Sequence, residues 1–407
     1  MDRSSHLNVL PDFQRRVYCV LGLPFDALTM DQAVAKVRQA VLARSRCLLV
    51  TPNLNFIAES ARDSRFRDTL LEADLSLADG MPLIWTARCL GIALSQRVSG
   101  ADLFEALDQT ATPRKISVFL FGGNHGVAVR AGEQIATHSV GLSCAGALEP
   151  LFGTAEELSE RSIIDAINAS GADFLVMALG ARKAHEWIAR NQEQLAPHVI
   201  SHLGAVIKYH AGLVARAPKR VQRMGLEWLW RVKEEPPLWR RYLRDGAVVG
   251  KLLFGRALPA ALRTLFAAFA PVAMTANEAI VEFMPGSAAV PNVLRIAGAW
   301  NEPNSGPLRH ALAQAVASAG DLRLDLSTAW TMDSAIVGLL LLLRGHFLRC
   351  GSGLEFASVS AAARRSLQLY GADFLLEPLS TRPRSTTNTT DATWLAPQFP
   401  TRVERAD

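Results

Sequence analysis

The sequence has few cysteines for its 407 residues, and the five present are widely separated. None stands at a spacing typical of a disulfide framework or a zinc knuckle, which argues against both and favours a reducing compartment. Residues 1–17 lack the apolar core of a secretory signal, so no such signal is expected. The longest charge-free apolar run, residues 264–277, is too short to span a bilayer.

Several catalytic signatures are also missing. No Walker lysine follows a glycine-rich loop, and no nucleophile elbow occurs. The histidines that could be metal ligands do not form a metal-ligand spacing, so we expect core or surface roles for them and no bound metal. They are His125, His185, His202 and His210.

Positive charge is concentrated in one segment. Residues 216–277 hold twelve Lys/Arg and four Asp/Glu, a local net charge of +8, which leaves about −3 for the rest of a chain of net charge +5. This asymmetry favours an anionic membrane surface or a nucleic-acid surface over a general solubility role. No recognised nucleic-acid motif occurs, so nucleic acid is not the expected partner.

Short apolar runs alternate with helical patterns over the first 245 residues. The alternation predicts an α/β fold with a Rossmann-like, mainly parallel sheet and helices on both faces. Thr29 is predicted to cap a helix over 30–42, and one further helix is predicted from soon after Asn53 to about residue 71. Strands are predicted at 18–26, 47–50, 75–78, 116–121, 172–179 and 206–207.

The chain divides into four predicted parts, which are 18–245, a basic segment 246–277, a smaller α/β unit 278–378 and a tail 379–407. The basic segment mixes cations with apolar residues and has no acid. It fits an interfacial amphipathic helix or, equally well, a core helix pair or a linker. The tail lacks periodicity and is expected to be disordered.

Ligands of such folds bind beyond the carboxyl ends of the strands, which singles out the loops starting at Thr51, Asp79, Gly122, Gly180 and Gly204. Asp79 fits a general base acting on a hydroxyl, or simply a turn or helix cap. Thr51 and Asn53 fit substrate hydrogen bonds or helix capping. The loop 122–126 is expected to present free backbone N–H groups at a helix N-terminus, as an anion or nucleotide-phosphate site. It lacks the three-glycine spacing and the acidic partner of a dinucleotide fingerprint.

Read together, these loops resemble the WecG/TagA/CpsF glycosyltransferase family over roughly residues 20–245. The matching motifs are Thr51-Pro52-Asn53, Ala78-Asp79-Gly80-Met81, Arg97-Val98-Ser99-Gly100-Ala101-Asp102, Phe121-Gly122-Gly123, Leu179-Gly180-Ala181, and Arg216-Ala217-Pro218 with Gly225-Leu226-Glu227-Trp228-Leu229-Trp230-Arg231. Six motifs in the family's order are a much stronger signal than any one of them.

The resemblance implies an inverting enzyme that needs no metal or cofactor. Such an enzyme moves a hexose-type sugar (N-acetylmannosamine, glucose or a uronic acid) from a UDP-sugar to a polyprenyl-diphosphate-linked saccharide of a surface polysaccharide. Asp79 becomes the candidate base, and Arg216, Arg223 and Arg231 become candidates for diphosphate binding. The other candidate substrate-binding residues are Thr51, Asn53, Arg97, Asp102, Gly122, Gly123, Gly180 and Glu227.

The sequence departs from the family pattern at two positions. Ala184 stands where the family commonly has glutamine, and Lys208 stands where many members have Asp or Asn. One interpretation is an acidic donor sugar that pairs with Lys183 or Lys208. The other is an altered activity, with the chain acting as a regulatory protein that senses a nucleotide sugar.

Residues 278–378 resemble a STAS domain. The resemblance rests on Leu324-Asp325-Leu326-Ser327 and on Met332-Asp333-Ser334-Ala335-Ile336-Val337-Gly338-Leu339-Leu340. The phosphorylatable serine of the family aligns with Ala335, so a scaffolding or partner-docking role is expected rather than a phosphorylation switch. The whole chain is expected at the cytoplasmic face of the plasma membrane, as a peripheral protein; homo-oligomerisation stays open.

Overall fold

A short antiparallel hairpin, β1 (Val17–Val20) and β2 (Leu23–Asp26), precedes the main sheet of the computed structural model. The structure describes residues 10–94, 96–150, 153–257, 279–287 and 290–379. Six strands follow the hairpin: β3 (Cys47–Val50), β4 (Leu75–Ser76), β5 (Ile116–Gly122), β6 (Leu142–Leu148), β7 (Phe174–Ala178) and β8 (Val199–His202). They form one parallel sheet in the order β4-β3-β8-β7-β5-β6.

The helices between these strands cover the sheet, which confirms the predicted Rossmann-like α/β class. They are α1 (Met30–Ala43), α2 (Leu54–Ser60), α3 (Ser64–Leu71), α4 (Met81–Cys89), α5 (Gly100–Gln109), α6 (Val127–His138), α7 (Arg161–Ala169), α8 (Ala181–Asn191) and α9 (Gly204–His210). Helix α1 begins at the predicted Thr29 cap, where Thr29 and Gln32 form a reciprocal capping box.

Two predicted elements are each divided in the structure. The single strand predicted at 18–26 is a hairpin, because Leu21 and Gly22 adopt positive φ and reverse the chain. The single helix predicted up to about residue 71 is interrupted before α3. Asp63 caps α3 with a side-chain oxygen that accepts the N–H groups of Arg65 and Phe66, which starts a new helix there.

The strand predicted at 206–207 is wrong. Val206 and Ile207 lie in α9, and the strand is β8, which ends at His202 just before them. Both side chains are buried, because they lie on the face of a short helix that packs against the core. A pair of apolar residues has no periodicity of its own that could separate the two cases.

Three further helices continue the N-terminal unit after α9. They are α10 (Lys219–Arg223), α11 (Glu227–Glu234) and α12 (Leu238–Leu252). Helix α12 runs across residue 245, and its buried Asp245 accepts a 2.9 Å hydrogen bond from the Asn55 side chain on α2. Most of the predicted 246–277 segment, residues 258–277, lies outside the described residues. None of the described helices is long and apolar enough to cross a membrane.

The C-terminal unit is a smaller mixed α/β domain. Its strands are β9 (Ile280–Met284), β10 (Asn292–Trp300), β11 (Leu322–Leu326), β12 (Ala329–Met332) and β13 (Leu354–Val359), and its helices are α13 (Gly306–Ala317), α14 (Ser334–Cys350) and α15 (Ala361–Leu369). The strands lie in the order β12-β10-β11-β13, and β9 pairs antiparallel with β10. The predicted tail lies outside the described residues from position 380 onwards.

The two units share one hydrophobic core at the N-terminal hairpin. The Arg309 guanidinium of α13 donates to the carbonyls of Phe13 and Arg15, and Arg349 at the end of α14 pairs with Asp74 at 3.0 Å. The C-terminal unit is therefore packed against the sheet domain as part of one molecule. The predicted domain boundaries themselves stay predictions.

Candidate active site

Asp79 lies in the loop after β4, at the carboxyl edge of the sheet. Its backbone N–H donates to the Pro52 carbonyl at 3.0 Å, which joins the loop after β3 to the loop after β4. The Val98 N–H donates to the Ala78 carbonyl at 2.9 Å and brings in the segment before α5. Three of the motif-bearing loops thus meet around one carboxylate, as the predicted topology requires.

The Asp79 carboxyl has the ionisation that a general base needs. Burial raises its pKa to about 7; Glu227 and Asp102 add to the rise, while Arg97 and Arg231 oppose it. A carboxyl with a pKa near the working pH is ionised often enough to accept a proton and basic enough to take one from a hydroxyl. No side-chain hydrogen bond or ion pair joins this carboxylate to another described residue, so it is available to a substrate.

Thr51 and Asn53 flank the Asp79 loop. Thr51 is buried, and its Oγ1 lies 3.1 Å from where a Cβ would stand on Gly100, so the start of α5 packs directly on it. The Asn53 side chain accepts the Asn55 N–H at 3.0 Å and caps α2. The capping alternative is therefore observed for Asn53, and a substrate contact of either residue stays a prediction.

A network of ion pairs holds Arg216 and the start of α11 against α5. Arg97 pairs with Asp102 and, at 2.8 Å, with Glu227 at the start of α11. Arg216 pairs with Asp102 and with Glu105. Arg97 and Arg216 thus neutralise carboxylates of the protein itself, and their predicted contacts with substrate require these pairs to be shared or exchanged.

Arg231 and Tyr209 complete the surroundings of Asp79. Burial lowers the pKa of Arg231, but Tyr242, Tyr209, Asp79 and Glu235 together outweigh burial, and the pKa is raised. Burial raises the pKa of the Tyr209 phenol, which therefore stays a neutral hydrogen-bond donor. Tyr209 was not predicted from the sequence, although it lies shortly before the Arg216-Ala217-Pro218 motif. Arg223 closes α10, and its side chain lies outside the described residues.

The glycine loop after β5 is not the open anion site that the sequence predicted. The Glu149 carboxylate, at the end of β6, accepts the N–H groups of Gly126, Ala128 and Val129. Its side chain fills the N-terminus of α6, in the place where the sequence predicted a bound anion. An acid directly after an apolar strand, one βα unit beyond a glycine loop, is the signal that could have identified it.

The two lysines considered for donor specificity already have partners. Lys183 Nζ donates to the Gly153 carbonyl at 2.6 Å, across the mouth of the loop after β6. Lys208 Nζ pairs with Glu235 at 2.8 Å, at the surface between α9 and α11. Gly180 starts α8 with no atom within 4 Å of a notional Cβ, so that loop is open.

Two of the histidines have core roles. His185 and His202 lie in the core with ring centroids 6.0 Å apart, and His202 Nε2 contacts the Leu179 carbonyl at 2.6 Å. Burial lowers the pKa of His185 to about 3 and that of His202 to about 4, so both are neutral at physiological pH. Neither histidine is a candidate acid or base for the site.

The parallel sheet covered by helices defines a Rossmann-like α/β protein, with a carboxyl of pKa about 7 and several arginines at the carboxyl edge of the sheet. The chain belongs to the WecG/TagA/CpsF family of glycosyl transferases, whose family model matches residues 18–261. It is a glycosyltransferase. A second family model, described as the Mlab STAS domain, matches residues 284–377.

A relative from Bacillus spizizenii is 29% identical over 195 residues, which cover 48% of this chain and 74% of the relative. It is an N-acetylglucosaminyldiphosphoundecaprenol N-acetyl-beta-D-mannosaminyltransferase.

Proposed function

We propose that the chain transfers a hexose-type sugar from a UDP-sugar to a polyprenyl-diphosphate-linked saccharide, with inversion at the anomeric carbon. The observation that carries the proposal is the Asp79 carboxyl, whose pKa of about 7 suits proton abstraction from a hydroxyl. The Bacillus spizizenii relative is an N-acetylmannosaminyltransferase with a lipid-linked diphosphate substrate, which supports a hexose-type sugar and a lipid-linked acceptor. N-acetylmannosamine, glucose and uronic acids are the candidate sugars, for an exopolysaccharide, O-antigen or teichoic-acid-like polymer.

In the proposed reaction Asp79 takes the proton of the acceptor hydroxyl, and the hydroxyl oxygen attacks the anomeric carbon. The new carbon–oxygen bond forms on the face opposite the departing phosphate, and UDP leaves with the electron pair of the broken bond. Arg231, whose pKa is raised, stays charged and lies close enough to Asp79 to interact with it. A fixed guanidinium near the reacting centre stabilises negative charge that develops on the leaving diphosphate.

The experiment is transfer from a panel of UDP-sugars to a polyprenyl-diphosphate-linked acceptor, comparing the wild-type chain with Asp79→Asn. The variant keeps the size of the side chain and removes the base, so we expect kcat to fall by about 10²–10⁴-fold while the donor still binds. The anomeric configuration of the product, read by NMR, tests inversion. Full turnover in Asp79→Asn would remove Asp79 as the base, and no transfer with any donor would contradict the proposal.

The second candidate is a regulatory protein that binds a nucleotide sugar without transferring it. The observation that favours it is the pair of departures from the family at Ala184 and Lys208. Lys208 is tied to Glu235 and Ala184 is buried, so neither replacement adds a free polar group to the site. Binding of a UDP-sugar with no transfer to any acceptor favours this candidate.

We further propose that α11 and α12 rest on an anionic membrane at the cytoplasmic face. Four large apolar side chains of these helices and the turn after them are exposed: Leu229, Trp239, Leu243 and Phe254. The exposed Arg240 and Arg244 stand beside Trp239 and Leu243 on α12. Apolar side chains that enter the interface, flanked by cations that meet anionic headgroups, are the features of a peripheral helix.

A protein partner for the STAS domain also stays a proposal. The start of α14, with Ser334 and Ala335, is buried against the N-terminal hairpin. A partner would therefore have to use another part of the domain surface. Homo-oligomerisation stays a prediction without a specific observation in its favour.

A further inference from the structure

The carboxylate of Glu149 occupies the position that a phosphate would take in a glycine-loop site. It accepts the Gly126 N–H at 2.6 Å and the Val129 N–H at 3.2 Å, together with the Ala128 N–H between them. The side chain is only 7% exposed, so it is a fixed part of the loop. The backbone donors that would bind an anion are therefore already engaged by a negative charge.

This arrangement excludes a phosphate and favours a hydroxyl at the same place. A diphosphate would meet a carboxylate instead of free N–H groups, and two negative charges at contact distance repel each other. An ionised carboxylate has about four lone-pair positions, of which three accept the backbone N–H groups of α6. One position remains, and it suits a single neutral donor such as one sugar hydroxyl. The fully exposed His125 ring lies beside the same carboxylate, with its Nδ1 3.8 Å from Glu149 Oε2.

The loop in front of Glu149 is open enough for a ligand. A Cβ on Gly126 would meet no atom within 4 Å, and one on Gly123 would meet its nearest neighbour only at 3.7 Å. The Gly123 N–H donates to the Ala178 carbonyl at 3.1 Å, which ties the loop to the end of β7. The open side thus lies at the carboxyl edge of the sheet, where ligands of doubly wound folds bind.

The hydroxyls could come from the ribose of the donor or from its transferred hexose, and the position of Asp79 decides between them. Asp79 follows β4, and four strand steps separate β4 from β5 in the sheet. At a strand spacing of about 4.8 Å, the loop after β4 and the loop after β5 stand roughly 19 Å apart. A hexose that reacts beside Asp79 is too small to contact Glu149 as well, so the ribose is the nearer source of hydroxyls for that loop.

We infer that Glu149 accepts a hydrogen bond from the 2′-hydroxyl of the donor's ribose and so fixes the nucleoside end of the UDP-sugar at the loop 122–126. The inference rests on the proposed use of a UDP-sugar. Acids at the end of the strand after a glycine loop accept ribose hydroxyls in other doubly wound sheets. The diphosphate then runs along the sheet edge from this loop towards Asp79.

The test is calorimetric binding of UDP and 2′-deoxy-UDP to the full chain and to Glu149→Gln. UDP carries no hexose, so a contact with the hexose would leave its affinity unchanged in the variant. Because hydrogen bonds to a charged group are among the stronger ones, we expect the wild type to bind UDP about tenfold more tightly than 2′-deoxy-UDP. In Glu149→Gln the UDP affinity should fall about tenfold and the preference should disappear.

Asp63→Asn is the matched control, because Asp63 also accepts two backbone N–H groups at a helix N-terminus, that of α3. It should lower the melting temperature by a similar amount and keep the preference for UDP. Retention of the ribose preference in Glu149→Gln, or equal loss of both ligands, would make Glu149 a purely structural cap and overturn the inference. A wild-type chain that transfers no sugar and binds no UDP would overturn the proposed function as well.

Discussion

The Ser334 hydroxyl at the start of the STAS helix α14 donates a 2.9 Å hydrogen bond to the Cys19 carbonyl of the N-terminal hairpin. Both residues are buried, so the contact is inside the molecule rather than at its surface. The same helix face approaches the sheet domain again near its end, where a Cβ on Gly345 would stand 2.0 Å from the Leu71 carbonyl oxygen. The STAS domain is thus fitted backbone to backbone against the transferase domain.

Gly345→Ala should therefore destabilise the whole protein. The added methyl group meets backbone, which has no flexible end to move aside, so α14 must shift away from the sheet domain. We expect a loss of about 2–4 kcal/mol in the free energy of unfolding, at or above the usual cost of overpacking. Chemical denaturation of the full chain, followed by circular dichroism, measures it.

Gly246→Ala is the matched control, because Gly246 is also helical and a Cβ there meets nothing within 4 Å. Alanine is the better helix former, so this variant should be neutral or more stable by up to about 1 kcal/mol. Equal stability of Gly345→Ala and the wild type would mean that the two domains do not pack as described.

The strands and the Asp79 loop could be predicted from the sequence, whereas the domain contact could not. Fully buried parallel strands such as Ile116–Gly122 are continuous apolar runs, and their order along the chain fixes which loops reach the same edge. Gly345 and Ser334 look like ordinary helix residues, because their partners are more than 250 positions away. Glu149 was missed for a similar reason, since its role depends on three N–H groups about 20 residues earlier.

The pH dependence of transfer should follow the ionisation of Asp79. The reaction needs the carboxylate, and its pKa is about 7, so kcat/KM should be constant well above pH 7 and fall about tenfold per pH unit well below it. Two variants test whether the surrounding charges set this value. Arg97→Gln removes a cation that lowers the pKa of Asp79, so the midpoint should move to higher pH. Glu227→Gln removes an anion that raises it, so the midpoint should move to lower pH.

The two variants control for each other, because Arg97 and Glu227 form one ion pair and either change breaks it. A structural effect of the broken pair would be similar in both variants, while the electrostatic effect has opposite sign. Shifts in the same direction, or a wild-type limb that stays near pH 4, would contradict the assignment of Asp79.

Gly225→Ala should impair transfer because it disturbs the packing of the turn between α10 and α11 against α4. Gly225 joins α10 to α11 with φ of +74°, and a Cβ there would stand 2.6 Å from the Met81 Cβ, two residues after Asp79. We expect kcat/KM to fall at least about tenfold, since a small misplacement of the surrounding residues is costly in catalysis. Gly212→Ala is the control, because Gly212 has a φ of +68° but its nearest neighbour is the end of the Arg130 side chain at 3.9 Å. Both variants carry the backbone strain, so equal activity of the two would exclude a role for the contact with Met81.

Leu243→Glu and Phe254→Glu should weaken binding to anionic vesicles. Their side chains are 64% and 72% exposed beside the basic residues of α12, so each change removes an apolar contact and adds repulsion from acidic headgroups. In flotation with vesicles containing about one third phosphatidylglycerol, we expect the bound fraction to drop several-fold and the wild-type binding to weaken with salt. Leu42→Glu makes the same change at a 73% exposed leucine on α1, away from the basic segment, and should float like the wild type. If the wild type stays in solution without floating, membrane binding is contradicted. If duplex DNA displaces the vesicles at equal charge, the contact is driven by phosphate charge alone, since the apolar side chains would add nothing to it.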